Sequence, residues 1–355
     1  MTELISFLEE NKGLIDKTIE KYIPRKIDSA YLKWLAGPAA YKYDIDSIQK
    51  CIIDPAWNLL DRGGKRWRPC FFILITESLG KKTSHLIDFA VIPELIHNGT
   101  LIMDDVEDDS DKRRNKPTIH NIYGTDIAIN AGNALYYIPM KIIHEKKDIL
   151  DPSLTSRTYE AYIQEMINLS LGQAMDIWWH QGKNENVTIE QYMQMCAYKT
   201  GTLARLAAKL AVIISSGTQK QEQKISKFAE SIGIGFQIQD DILDITTSER
   251  DKFGKSFGND IHEGKRTLMV IHALNNACET DKKKLTEILN KHTRDEHEIN
   301  EALAILTKYN SIEYAKNTAK KIVKDAWSEV DSILPESESK HMLSEFATYL
   351  IERDI

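Results

Sequence analysis

The sequence predicts an all-α chain, and three observations carry that expectation. Apolar residues recur at helical spacing almost throughout, with few alternating, strand-like runs. Only 17 Gly and 9 Pro occur in 355 residues, and no Gly/Ser- or Pro-rich linker breaks the pattern. The chain is 42% hydrophobic and 28% charged, which suffices for a large core. Length alone allows two domains, but without a linker we expect one domain over 51–355, with residues 1–50 packed on it as an N-terminal helical extension.

The elements follow in order. Phe7, Leu14, Ile15 and Ile19 give residues 1–50 an apolar face, punctuated by Pro24 and Gly37-Pro38. A helix over 51–60 leads into Asp61-Arg62-Gly63-Gly64-Lys65-Arg66-Trp67-Arg68-Pro69, where two glycines permit a sharp turn and three cations follow within four positions. Helices are expected over about 69–79 and about 86–108, the second kinked at Pro93. A polar loop, 109–118, carries Arg113 and Arg114. Further helices are expected over about 126–145, 154–181, 189–216 and 221–245, with Lys199-Thr200-Gly201 inside the third. A loop over 248–265 follows, and the remainder alternates amphipathic helices with charged turns.

Composition removes several classes of function. The net charge is −7 and no long basic stripe suggests nucleic acid. The four cysteines, Cys51, Cys70, Cys196 and Cys278, show no C-x-x-C spacing, which fits a reduced, cytoplasmic setting. Residues 1–12 carry Glu3, Glu9 and Glu10 with no basic start or apolar centre, so no signal peptide is expected. Apolar runs such as 70–75 and 210–214 are too short to span a bilayer.

Two acidic clusters carry the chemistry. Asp104-Asp105-Val106-Glu107-Asp108 and Asp240-Asp241-Ile242-Leu243-Asp244 both read D-D-x-x-D, and each follows an apolar helical stretch. Residues four apart share a helix face, so Asp104 pairs with Asp108 and Asp240 with Asp244. Like charges so placed repel by roughly 0.2–0.5 kcal/mol per pair, and the dipole at a helix C-terminus adds to that. One such cluster can be a solvated helix end. Two are better explained by a strongly cationic partner, and hard oxygen ligands in small number suit Mg²⁺ shared with phosphate oxygens. A calcium-binding EF-hand is excluded, since neither cluster has the D-x-D-x-D-G spacing.

The basic residues complement them. Lys65 and Arg68 on a glycine turn can be an exposed basic loop or can grip a diphosphate, Lys as a point charge and Arg as a fork. The spacing does not match a nucleotide-binding P-loop. Arg113 and Arg114 can balance the acidic cluster, hold phosphate oxygens, or do both. His97 lies two turns before Asp104 on the same helix. Lys199, Lys255 and Lys265 each sit beside Gly or Thr-Gly, individually a weak signal. No H-E-x-x-H motif or local Ser-His-Asp or Cys-His signature is visible.

These motifs, in this order over roughly 55–270, closely resemble the trans-prenyl diphosphate synthases, most of all those making geranylgeranyl diphosphate. The matching residues also include Gly172-Gln173-x-x-Asp176, Gln237 ahead of the second cluster, Gly254-Lys255, Asp260 and Glu263-Gly264-Lys265. The resemblance implies an antiparallel helix bundle around a central cavity. It also implies a Mg²⁺-dependent homodimer that condenses isopentenyl diphosphate with dimethylallyl, geranyl or farnesyl diphosphate. Asp104, Asp108 and Asp240 would ligate three Mg²⁺ ions, with Asp105, Asp241 and Asp244 in support. Arg113, Lys199, Lys255 and Lys265 would contact the allylic diphosphate, and Lys65, Arg68, His97 and Arg114 isopentenyl diphosphate. Thr200 and Gln237 would sit near the allylic cation. Product length would be set by Gly99 and Thr100, which leave room where bulky aromatics stop the chain at farnesyl. Tyr136 and Tyr137 would form a deeper floor, with Ser170 at an assisting position. Farnesyl and longer products are the alternatives. Asn115 departs from the family's usual glycine, so a slightly altered loop without loss of activity is expected. A terpene cyclase is disfavoured by the full second D-D-x-x-D and the second set of anchors. A non-catalytic regulatory subunit is disfavoured because no acidic residue is lost.

Overall fold

The computed structural model describes residues 2–148, 150–184, 186–246 and 258–352, so the expected role of Lys255 lies outside the described residues. The chain is all-α. Among the described residues, the strands are a two-residue antiparallel ribbon, β1 (Lys112–Arg113) with β2 (Lys116–Pro117). The chain divides into two compact units. The first comprises Met1–Tyr162, Leu206–Glu222 and Leu334–Leu343, and the second Ile163–Arg205, Gln223–Ile333 and Ser344–Ile355.

The first unit opens with α1 (Thr2–Tyr22) and α2 (Ser29–Ala36), the latter capped by Asp28, whose side chain accepts from the Tyr31 N–H at 2.8 Å. A short α3 (Ile45–Ile48) passes through a π turn, Gln49–Ile53, into α4 (Asp54–Leu60), with Pro55 in its first turn. The next helix, α5 (Trp67–Ser78), is buried on nearly every side, as its almost unbroken apolar sequence requires. Then come α6 (Ile87–Glu107), α7 (Ile119–Tyr123) and α8 (Thr125–Lys146). Helix α6 packs on α8 and α5, and α1 lies against α5 and α6. Asp88 at the start of α6 receives Lys21 of α1 at 2.9 Å and Lys146 of α8 at 2.6 Å, joining three helices through one carboxylate.

Glycines set how closely α6 and α8 approach. A Cβ on Gly99 would lie 2.8 Å from the Gly132 carbonyl oxygen and 3.0 Å from both Leu135 Cβ and Tyr136 Cε1. This corrects the expectation that Gly99 leaves open space: its missing side chain is occupied by α8, and a phenylalanine there could fit only by parting the two helices.

Residues of both units belong to α9 (Pro152–His180), α11 (Gly201–Ile214) and α12 (Gln219–Thr246). Within the second unit, α10 (Ile189–Lys199) starts at a capping box made by Thr188 and Gln191. The expected continuous helix over 189–216 is broken: Thr200 caps α10 and Gly201 opens α11. The cause is close packing against α12, where a Cβ on Gly233 would sit 2.4 Å from Gly201 Cα. Arg205 holds this break. It forks onto Glu165 at 2.6 Å and also reaches Glu230 and the Ala197 carbonyl oxygen, both at 2.7 Å. The unit continues through α13 (Asn259–His262), α14 (Leu268–Asn276), α15 (Glu279–Lys291), α16 (Glu296–Lys308) and α17 (Ser311–Asp331). Its core gathers Tyr192, Cys196, Ile238, Ile242, Leu268, Leu285, Leu306 and Ala315.

Candidate active site

In the first unit the glycine turn and the hairpin after α6 bring a group of cations together. Arg66 has φ +47, a left-handed conformation costing a non-glycine residue about 1–2 kcal/mol. Its side chain holds it there, with Nε donating to Asp16 at 2.9 Å, Nη1 to Glu94 at 3.0 Å and Nη2 to the Leu60 carbonyl at 3.1 Å. Gly64, at φ +152, leaves room beside two guanidiniums: a Cβ there would lie 3.3 Å from Arg114 Nη2 and 3.4 Å from Arg66 Nη1. Arg114 also donates to the Gly63 carbonyl. Arg114 and Asn115 are the two turn residues between β1 and β2, at φ +52 and +60. Both central residues of a type I′ hairpin need positive φ, and asparagine tolerates it better than most residues, which accounts for Asn115 standing where glycine is usual.

Arg68, in the first turn of α5, is only 5% exposed, and its Nε has no hydrogen-bond partner. Burial lowers its pKa to about 10, with Arg114 pulling it down and Glu94 opposing. It is therefore still a cation at neutral pH. Half-buried His97 is held neutral, its pKa pushed well below 6.5 by burial and then by Arg68, Arg114, Arg113 and Arg66. Lys65 is exposed at the edge of the turn. A group so rich in buried positive charge is built for an anion.

The acidic clusters each divide into partly exposed and buried members. Asp104 and Asp108, one turn apart at the end of α6, are partly exposed. Asp105 between them is fully buried and accepts from Arg113 Nε at 2.9 Å and Nη2 at 2.6 Å. In the second unit Asp240 is partly exposed, whereas Asp241 and Asp244 are each 4% exposed. Asp241 accepts from Tyr192 and from Gln237, and Asp244 accepts the Asp260 N–H at 3.0 Å. Burial, with Asp260 adding to it, raises Asp241 to about 7. The Thr200 hydroxyl donates to Gln237 Oε1 at 2.6 Å. Lys199 pairs with Asp176 at 2.6 Å. Although burial pushes the Asp176 carboxyl up, Lys199 and Lys265 outweigh it and bring it to about 2. Lys265 lies 3.3 Å from Asp260 and contacts Glu263. Gly172 lets α9 reach this group, since a Cβ there would fall 2.3 Å from the Lys199 nitrogen.

Asp104 and Asp108 in the first unit, and Asp240 in the second, each carry the hard carboxylate oxygens that magnesium takes.

The structure brings only some of the expected chain-length residues together. The Tyr136 ring lies against Gly99, near enough to Asp104 and Glu107 that they add to the burial raising its pKa. Tyr137, one residue along and therefore about 100° around the helix, is 69% exposed. It faces a separate cavity of about 490 Å³ lined also by Tyr31, Leu35, Ile52, Lys141 and Tyr159. The two tyrosines thus do not line one floor together, which corrects the expected pair. The Thr100 hydroxyl turns back to the His97 carbonyl at 2.8 Å, and exposed Ser170 bonds the Met166 carbonyl at 3.1 Å.

The sequence shows Arg66 in the basic turn without a role of its own, and Asp16, Glu94 and Tyr192 were not found. Glu94 stands three residues before His97, so helical spacing could have found it. Asp16 is 50 positions from Arg66, and no local signal links them.

The polyprenyl synthetase profile matches residues 49–306. A short chain isoprenyl diphosphate synthase of Methanocaldococcus jannaschii is 40% identical over 73% of this chain and 76% of its own. A geranylgeranyl diphosphate synthase of Methanosarcina mazei is 33% identical over 83% and 88%. The crystal structure of geranylgeranyl pyrophosphate synthetase from Pyrococcus horikoshii superposes with a TM-score of 0.86, at 33% identity and 99% coverage of both chains. The fold is that of a trans-prenyltransferase. The chain belongs to the polyprenyl synthetase family.

Proposed function

We propose that this chain joins isopentenyl diphosphate head-to-tail to an allylic diphosphate and releases geranylgeranyl diphosphate. The observation that carries this is the buried cation group in the first unit. Arg68, with a buried Nε lacking any partner, stands among Arg66, Arg114 and neutral His97, an arrangement made for a second diphosphate beyond the one the acidic clusters serve. A cyclase has no use for it. Lys65, Arg68, His97 and Arg114 bind isopentenyl diphosphate. Arg113, Lys199 and Lys265, with Lys255, bind the allylic diphosphate and favour departure of its pyrophosphate. Three Mg²⁺ ions, held by Asp104, Asp108 and Asp240 with Asp244 alongside, would neutralise charge on that leaving group. The allylic C–O bond breaks, the isopentenyl double bond attacks the allylic carbon, and the released pyrophosphate takes the proton lost from the adduct. Thr200 and Gln237 present oxygen dipoles to the cation.

Product length depends on Tyr136 in this reading, because its ring covers the Gly99 surface one turn from Asp104. Tyr136→Ala should shift the dephosphorylated products, separated by chain length, toward longer prenols. An active variant with an unchanged product distribution would remove Tyr136 from that role.

The protein acts as a homodimer. Ile163, Ile167, Leu171 and Trp178 form an apolar stripe along α9, each at least 50% exposed, and a second copy is the occupant that covers it. Sedimentation should give twice the mass of one chain, and a monomer at micromolar concentration would oppose this. No described helix is long and apolar enough to cross a membrane. The cytoplasm is the proposed setting, supported by four free cysteines.

A further inference from the structure

Tyr192 belongs to the second acidic cluster, yet no motif assigns it a role. It lies in α10 and is 1% exposed. Its hydroxyl donates to Asp241 Oδ2 at 2.7 Å. Gln237 Nε2 donates to Asp241 Oδ1 at 2.8 Å, and the Thr200 hydroxyl donates to Gln237 Oε1 at 2.6 Å. The Tyr192 hydroxyl and the Gln237 amide nitrogen both point at Asp241 oxygens, which leaves the Gln237 carbonyl turned toward Thr200. Thr200 has one proton, and it is committed to that carbonyl. The lone pairs left over on the Thr200 and Gln237 oxygens are the negative ends of fixed dipoles.

We infer that Tyr192 is a positioning residue for allylic ionisation: it locks Asp241, which orients Gln237 and Thr200 so that their oxygens face the developing cation. A buried tyrosine hydroxyl needs some acceptor, and burial alone would be satisfied by any carbonyl. Here the acceptor is a motif carboxylate whose two oxygens are both taken by donors, one from α10 and one from α12. Losing the Tyr192 donor frees that carboxylate to rotate, and with it the amide on which Thr200 depends. The inference deepens the proposed function and rests on it.

The test is Tyr192→Phe, which keeps every carbon of the ring and removes only the hydroxyl. Elongation of a saturating allylic diphosphate should show kcat reduced about tenfold, the scale of one lost hydrogen bond to a charged group. KM for isopentenyl diphosphate should stay at the wild-type value, and the melting midpoint should fall by no more than the loss of one buried hydrogen bond allows. In a Gln237→Leu background, Tyr192→Phe should bring no further fall, because its effect passes through Gln237. Unaltered kcat in the single variant, or two effects that simply multiply, would overturn the assignment. A lowered melting midpoint with kcat intact would make Tyr192 a packing residue and overturn it equally. Wild-type protein in the same assay separates the two levels. No elongation by wild type defeats the prenyltransfer reading itself, whereas an active wild type with an equally active variant defeats only the role of Tyr192.

Discussion

Asp104→Ala and Asp240→Ala, made separately, are each expected to lower kcat for prenyl transfer by roughly 10²–10³-fold or more, the range seen when one preorganised electrostatic contact to developing charge is removed. Both proteins should keep their far-UV circular dichroism and melting midpoints, because these two carboxylates are partly exposed. Raising Mg²⁺ should recover part of the loss if the alanine weakens metal affinity. Asp105→Ala should behave differently. It removes the buried carboxylate that Arg113 grips at 2.6 Å and leaves the guanidinium only the attraction of Asp104 and Asp108, a change costing about 1–3 kcal/mol of stability. Near-wild-type turnover in both Asp104→Ala and Asp240→Ala would remove the acidic clusters from the reaction.

Arg68→Met should raise KM for isopentenyl diphosphate by roughly 10–150-fold, the equivalent of about 1.5–3 kcal/mol for a charge-assisted contact. KM for the allylic diphosphate should change little. The same substitution should leave the melting midpoint of the free protein unchanged or higher, since it removes a buried cation whose pKa is already drawn down to about 10 by burial and Arg114. Opposite signs on binding and stability are what a residue held ready for an anion should show. Equal increases in both KM values would mean that the basic turn serves no dedicated diphosphate.

The parts of this site legible in sequence are those whose chemistry is local. The two D-D-x-x-D clusters, the glycine turn with its cations and the Arg113-Arg114 pair are each contained within a few residues, so side-chain type and spacing state their purpose. What the sequence could not show is which members of each cluster are buried and what holds them, because those partners come from afar. Arg113 reaches Asp105 through the hairpin, Tyr192 reaches Asp241 from another helix, and Asp16 reaches Arg66 from α1. Helix existence was readable from apolar periodicity. The break at Thr200 was not, since it follows from the contact of Gly201 with Gly233. The same limit misled the chain-length argument. A missing side chain at Gly99 reads as space in a sequence, but in the folded chain the Gly132 backbone fills it. Likewise Tyr136 and Tyr137 read as a pair, but successive helix positions face different surroundings.

The most direct measurement is elongation itself. The purified protein is incubated with isopentenyl diphosphate and an allylic primer, with and without Mg²⁺, and the dephosphorylated products are separated by chain length. Geranylgeraniol should be the main product, formed only when both diphosphates and Mg²⁺ are present. Cyclic hydrocarbon made from the allylic diphosphate alone, or recovery of both substrates unchanged, would contradict it.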